Sequence, residues 1–301
     1  MCGDHHALSL RRGNHHSQLA TGPGIHRLLL GEATVVVLCD GHFLLSTPEV
    51  LRGDTSPLDG LLARAGLEEL VPSHVNAFLI DTGDKRILID AGAGDLQGST
   101  LGDMARRLLA AGYSVGDIDT VLVTHLHPDH IGGLTRSGEA VFERARIHVS
   151  RAEAAFWLER GSADGVDGSV RATFADARKV LAPYIATDRL RLFDAQASWH
   201  GCINALALPG HTHGHTGFRL RTGKQDVLFC GDLFHVAAVQ LADPGVTVCY
   251  DSEPAQAKAT RVAFLKEAAH RGDCIAAAHA PFPGLGIVCR EGDGYVWQPA
   301  A

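Results

Sequence analysis

The chain has 301 residues, 46% of them hydrophobic and 20% charged, a balance that buries a sizeable core and excludes a disordered polymer. Thirty-four acidic against 27 basic side chains leave a formal charge of −7, which argues against a surface for nucleic acid or another polyanion. No apolar run reaches the roughly 18 residues that span a bilayer, the first residues lack the continuous apolar core of a leader, and the seven cysteines include no C-x-x-C pair, so separate buried thiols, no membrane association and a cytoplasmic location are expected.

Residues 1–24 carry His5, His6, His15 and His16 among polar residues and glycine and read as a mobile arm; residues 25–301 read as one domain. Thr34–Cys39 predicts a strand ending in a turn at Asp40-Gly41. Val75–Asp81 and Arg86–Asp90 flank a hairpin signal, Thr82-Gly83-Asp84-Lys85. Leu101–Ala111 has helical spacing and stops before Gly112. Strands follow at Asp119–Thr124 and Ile147–Ser150, then helices over about Ala152–Arg160 and Val170–Leu181, the second ending before Pro183. The remaining pattern is strands at Leu190–Phe193, Ile203–Leu208, Gly217–Arg221 and Asp226–Cys230, a helix over Pro254–His270, and a strand at Cys274–Ala278. Strands and helices in this repeated order predict an α/β fold of two halves packed sheet to sheet, with helices outside.

Eighteen histidines are present, and some are placed rather than scattered. Thr124-His125-Leu126-His127-Pro128-Asp129-His130 leaves a predicted strand. Residues two apart on extended chain point the same way, so His125 and His127 can share one cation. Pro128 keeps His127 out of helical conformation, and Asp129 and His130 can turn to a second cation. Imidazole and carboxylate suit zinc and similar divalent ions. Further donors lie at later strand ends: His211, His213 and His215 after Pro209-Gly210, Asp232 after Gly231, and His279 after Ala278. Donors at the ends of several strands converge on one edge of an α/β fold.

THLHPDHIGG (124–133), PGHTHGHTG (209–217), GDLFHVAAVQLADPGVT (231–247) and AAHAPFPGLG (277–286), with DAGAGDLQGSTLG (90–102) and EAAFWL (153–158), resemble the metallo-β-lactamase superfamily and, within it, the methyl parathion hydrolase group. The resemblance implies a four-layer αβ/βα sandwich. It implies His125, His127 and His211 as ligands of one metal, Asp129, His130 and His279 as ligands of the other, and Asp232 between them. His215 would support a ligand by hydrogen bonding, and Asp90 would be structural. Trp157 and Phe174 fall where the group lines a hydrophobic substrate pocket, whereas Gln97 stands where its organophosphate hydrolases have an aromatic residue.

Two divalent ions, zinc first with Mn, Fe or Co as alternatives, would lower the pKa of a bridging water for attack on a carbonyl or phosphorus. The expected function is therefore a dinuclear metal-dependent hydrolase that opens lactones or cleaves activated aryl esters. Asp129 is expected to orient the attacking oxygen, and His235, three residues after Asp232, to contact the substrate carbonyl or leaving oxygen. A phosphotriesterase is the alternative within the enzyme class. A di-iron redox protein and an inactive binding scaffold are alternatives of other classes. The resemblance implies a homodimer acting on a small molecule, and the segment Phe43–Val71 reads either as a partner-contacting arm or as a loop over the pocket.

Overall fold

A computed structural model describes residues 22–53, 58–159, 168–223 and 225–300. Most of the expected arm lies outside these residues. Its last part, Gly22–Gly24, forms a turn whose Gly24 carbonyl accepts the Cys39 amide at 3.0 Å, so these three residues pack with the domain.

Among the described residues two seven-stranded sheets dominate, each with its strands in chain order. The first contains β1 (Ile25–Leu30), β2 (Ala33–Ser46), β3 (Leu70–Asp81), β4 (Arg86–Ile89), β5 (Thr120–Leu122), β6 (Arg146–Ser150) and β7 (Leu190–Phe193). The second contains β8 (Ser198–Trp199), β9 (Ile203–Ala207), β10 (Thr216–Leu220), β11 (Val227–Phe229), β12 (Cys274–Ala276), β13 (Leu285–Glu291) and β14 (Gly294–Pro299). Strands β4 to β7 run parallel to one another, as do β11 and β12. The helices are α1 (Leu58–Ala65), α2 (Met104–Ala110), α3 (Pro128–Ile131), α4 (Arg151–Ala154), α5 (Gly168–Ala186), α6 (Ala237–Ala242) and α7 (Pro254–Arg271). None is long and apolar enough to cross a membrane.

The two-residue period of a strand sorts the core into layers. Val35, Val37, Phe78, Ile80, Ile87 and Ile89 face Ile203, Phe218, Phe229 and Ala276 across the gap between the sheets. Their neighbours Val36, Leu38, Leu79 and Leu88 point the other way, into a core shared with Met104 and Leu108 of α2 and Ala177 and Leu181 of α5. On the far side Leu228 and Ile275 pack on Phe264, Leu265 and Ala268 of α7. Because both faces of the central strands are buried, they read as continuous apolar runs, and helix, sheet, sheet and helix stack in four layers as expected.

Several local readings are corrected. Asp40-Gly41 is a β-bulge inside a continuous β2, where the pairing with β3 shifts between Cys39 and Gly41. Gly41 has φ 149, and a Cβ there would lie 2.0 Å from the Thr100 carbonyl oxygen. The bulge turns the Asp40 carboxylate inward, where it accepts the Ala93, Gly102 and Met104 amides at 2.9–3.0 Å. Gly41→Ala is expected to lower stability by about 2 kcal/mol or more, since both strain and a backbone clash must be relieved; urea denaturation measures it, and an unchanged midpoint would contradict this account.

Helix α5 runs through Pro183 to Ala186, beyond its expected end at Leu181. Tyr184 anchors this last turn, donating to the Leu134 carbonyl at 2.6 Å and accepting the Phe142 amide at 3.2 Å, so tertiary contacts outweigh the hydrogen bond that proline removes. The helix expected over 152–160 is α4 followed by a π-helical turn over Ala155–Glu159. Strand β1 and the β13–β14 hairpin were not anticipated. In the segment 43–71, Leu45, Leu51, Leu61, Leu62 and Val71 pack on Val236, Val239, Val246 and Val248 of the same chain, while Leu44 and Leu70 are exposed. Cys39, Cys230 and Cys274 are buried as expected, but Cys249 is exposed.

Candidate metal centre

The parallel strands β4 and β5 and the strands β9, β11 and β12 end on one edge of the sandwich, and the expected donors follow them. His125 and His127 leave β5, and Pro128 starts α3 with Asp129 and His130 in its single turn. His211, Asp232 and His279 follow β9, β11 and β12. Among the described residues the donors gather into two main sets, His125, His127, His211 and Asp232 in one and Asp129, His130 and His279 in the other, with a third, overlapping set of Asp232, His235 and His279. Ligand atoms within each set lie within 4.8 Å of one another. Asp232 joins the sets, its Oδ1 3.0 Å from His130 Nε2 and its Oδ2 3.1 Å from His279 Nε2, 3.3 Å from His211 Nε2 and 3.5 Å from His125 Nε2. Asp129 Oδ2 lies 3.6 Å from His279 Nε2 and 3.8 Å from His130 Nε2.

The outward-facing ring nitrogens are each held by an acceptor, which fixes the tautomer. His130 Nδ1 donates to Asp90 Oδ2 at 2.8 Å, and His211 Nδ1 to Asp251 Oδ1 at 2.9 Å. His279 Nδ1 donates to the His74 carbonyl at 2.8 Å. The Thr124 hydroxyl donates to Asp90 Oδ2 at 2.8 Å and so accepts from His125 Nδ1 at 3.0 Å. In these four rings Nε2 is therefore the nitrogen that faces the cluster. His127 presents Nδ1 instead, 3.0 Å from His211 Nε2. His125 Nε2, His130 Nε2 and Asp232 Oδ1 are buried without a hydrogen-bond partner; the 3.0 Å approach of the last two lacks hydrogen-bond alignment. Buried lone pairs of this kind are costly unless something positive completes them, so the residues fit divalent cations.

The electrostatics agree. Burial lowers His125 and His127 well below their ordinary pKa. Burial also opposes charge on His130, yet Asp232, Asp90 and Asp129 outweigh it and push this imidazole well above its usual value. His211 rises to about 9 because, against burial, Asp232 and Asp251 accept its protons. Asp232, although buried, is held well below the carboxylate range by His130, His279 and His125. The cluster therefore binds protons that divalent cations would displace.

The other expected residues are placed differently. His215 lies behind the cluster: its Nε2 accepts the Asp232 amide at 3.1 Å and its Nδ1 donates to the Leu208 carbonyl at 2.8 Å. Burial lowers its pKa to about 3, in keeping with a neutral ring that positions Asp232. His213 is not in the cluster; its ring packs on Phe156 with centroids 4.3 Å apart. His235 is buried, not a solvated loop residue, with Nε2 3.1 Å from Asp232 Oδ2 and its ring stacked 4.9 Å from that of His279. Burial lowers its pKa to about 4, against the pull of Asp232. Trp157 and Phe174 are 2% and 4% exposed. The Trp157 ring meets His127 edge-on at 5.7 Å and packs on Phe174 with centroids 4.7 Å apart. Gln97 is exposed.

Sequence reasoning missed four contributors. Asp251 orients His211, and Glu153 accepts four hydrogen bonds behind the ligand loops. Asn76 Nδ2 holds the His279 turn through the Ala278 and Ala280 carbonyls at 3.1 and 2.9 Å. Tyr250, 37% exposed, faces the His235 ring at 5.0 Å. The only local signal was the Ser150-x-x-Glu153 capping pattern.

Two sheets back to back, helices outside, and this His and Asp set at one edge define a metallo-β-lactamase fold. Residues 70–279 match the family model described as the metallo-beta-lactamase superfamily, and the chain belongs to that superfamily, as its motifs implied. Over 92% of its length it is similar to a solved structure described as hydrolase AbOPH in the beta lactamase superfamily, with 33% identity, a TM-score of 0.86 and 97% of that chain covered. It is also similar to AidC, described as a dizinc quorum-quenching lactonase in complex with a homoserine product, with 26% identity, a TM-score of 0.84, and 92% of this chain and 98% of that chain covered. Among curated relatives, the "Probable metallo-hydrolase Rv2300c" of Mycobacterium tuberculosis is 27% identical over 192 residues, 53% of this chain and 56% of its own length. The chain thus spans about half the length of the curated relatives it matches.

Proposed function

We propose that the chain is a dinuclear metal-dependent hydrolase that opens lactones or cleaves activated esters. The observation that carries this reading is the pair of buried donor sets joined by Asp232, with nitrogen lone pairs that no protein donor completes. His125, His127 and His211 would hold one ion, Asp129, His130 and His279 the other, and Asp232 both. Two such ions, zinc or a similar metal, supply Lewis acidity toward a carbonyl or phosphoryl oxygen and an activated water.

The protein's own part follows from exposure and reach. The Asp129 side chain is 12% exposed against 3% for Asp232, so Asp129 is the carboxylate at the centre that meets solvent and is suited to pass a proton outward. His235 projects from the same turn as Asp232 and is proposed to hold the substrate's carbonyl or leaving oxygen. Phe43, edge-on to His279 at 6.2 Å, and Tyr250 supply apolar surface beside it. The similarity to a lactonase solved with its product supports the choice of a cyclic ester.

Turnover of dihydrocoumarin, an acyl-homoserine lactone, an aryl acetate and methyl paraoxon tests the reading. Lactone turnover that a chelator abolishes and zinc restores is expected. Turnover of methyl paraoxon alone would favour a phosphotriesterase, and no turnover on any of the four would discard the substrate class. His235→Leu is expected to lower kcat/KM on the lactones by about 10²-fold, the scale of a hydrogen-bonding or proton-transfer group, with both metals retained. An unchanged kcat/KM would remove His235 from the reaction.

A further inference from the structure

Helix α4 opens with Ser150-Arg151-Ala152-Glu153, a capping-box sequence of which only half is made. Ser150 Oγ accepts the Glu153 amide at 3.2 Å. The Glu153 side chain, 0% exposed, turns away from its own helix and takes four donors. Oε1 accepts the Leu126 amide at 3.0 Å and the Trp157 indole N–H at 2.7 Å. Oε2 accepts the Thr212 hydroxyl at 2.7 Å and the Gly214 amide at 2.9 Å. Ser150 Oγ donates back to the Gly214 carbonyl at 2.8 Å, so helix start and loop grip each other through both the N–H and the C=O of Gly214. A Cβ on Gly214 would sit 2.2 Å from the Glu153 nitrogen, so only glycine permits this approach.

The Leu126 and Gly214 amides and the Trp157 indole can only donate, and the Thr212 hydroxyl can donate as well, so Glu153 serves as an acceptor at both oxygens. Leu126 lies between His125 and His127, and Thr212 follows His211. One carboxylate thus ties together the two loops that carry the three-histidine set. The second set is oriented by other groups: His130 by Asp90, and the His279 turn by Asn76 and the His74 carbonyl. We propose that Glu153 is a positioning residue that fixes the separation of the His125–His127 and His211 loops and thereby sets the affinity of the three-histidine site alone. The inference rests on the dinuclear reading above.

Glu153→Gln is the test. With its oxygen toward Leu126 and Trp157, the amide nitrogen faces the Gly214 N–H, and two donors oppose each other. With the amide reversed, the Leu126 and Trp157 donors are orphaned instead. Calorimetric titration of the metal-free full chain with zinc is expected to show two binding steps in the parent protein. In Glu153→Gln one step should weaken about 10–100-fold, the scale for losing an orienting partner of a metal ligand, while the other stays within error. Thr212→Val removes a single donor and should weaken the same step several-fold, which keeps the test alive if Glu153→Gln fails to fold. A general structural role would weaken both steps together or neither, and either result overturns the proposal. A parent protein that binds fewer than two zinc ions would instead sink the dinuclear reading itself.

Discussion

Asp232→Ala is expected to leave at most one tightly held ion per chain and to lower kcat/KM on a lactone by about 10³-fold or more, the scale of removing a central electrostatic group from an active site. No other side chain touches both donor sets so closely. Its Oδ1 is 3.0 Å from His130, and its Oδ2 lies within 3.5 Å of His125, His211, His235 and His279. The backbone presents it rigidly: Gly231 has φ 52, and the Asp232 amide is bound by His215. Alanine keeps that backbone and removes only the shared carboxylate, so five imidazoles are left around the space it filled. Metal analysis and lactone kinetics on the same preparation check this; two ions with near-parental turnover would contradict a joining role.

Asp90→Asn is expected to weaken the second site about 10–100-fold. Asp90 accepts three hydrogen bonds at 2.8 Å, from the Thr124 amide, the Thr124 hydroxyl and His130 Nδ1. It stands at φ 58, where asparagine is among the few residues that fit without added strain. Asparagine therefore tests the charge and acceptor geometry, whereas alanine would add backbone strain. With Oδ1 kept on the Thr124 amide, the new Nδ2 faces two donors, and His130 loses the contact that aims its Nε2 at the metal. Because Asp90 also holds the Thr124 hydroxyl that accepts from His125 Nδ1, zinc titration should show the step that Glu153→Gln spares weakened most and the other step less. Loss of the opposite step would mean that the assignment of orienting groups to sites is wrong.

The ligands were legible because they follow strand ends. The H-x-H-x-D-H run is confined to six residues, and the later donors stand beside Gly or after Ala at strand exits, where the fold has to bring them together. Three of the groups that orient them were not legible, since each acts across a long gap: Glu153 on Leu126 and Gly214, Asp251 on His211, Asn76 on Ala280. A lone polar residue in sequence reads as surface until its partner is known. The fold's layers came from apolar runs buried on both faces, and its errors came from glycine. Asp40-Gly41 resembles a hairpin turn but serves a bulge, because the chain after it still finds partners on β3 from Val75 to Leu70. The true hairpin at Glu291-Gly292-Asp293-Gly294 joins β13 and β14, strands whose mixed Cys, Arg, Tyr and Trp content hid their alternation.

The most direct test of the central claim is metal content by mass spectrometry of the full chain beside a His125→Ala/His130→Ala double variant, both reconstituted with zinc and freed of excess. Any zinc held by histidines of residues 1–24 cancels in the difference. The account predicts two more zinc ions per chain in the parent protein than in the variant; a difference below one would contradict a dinuclear centre at this edge of the fold.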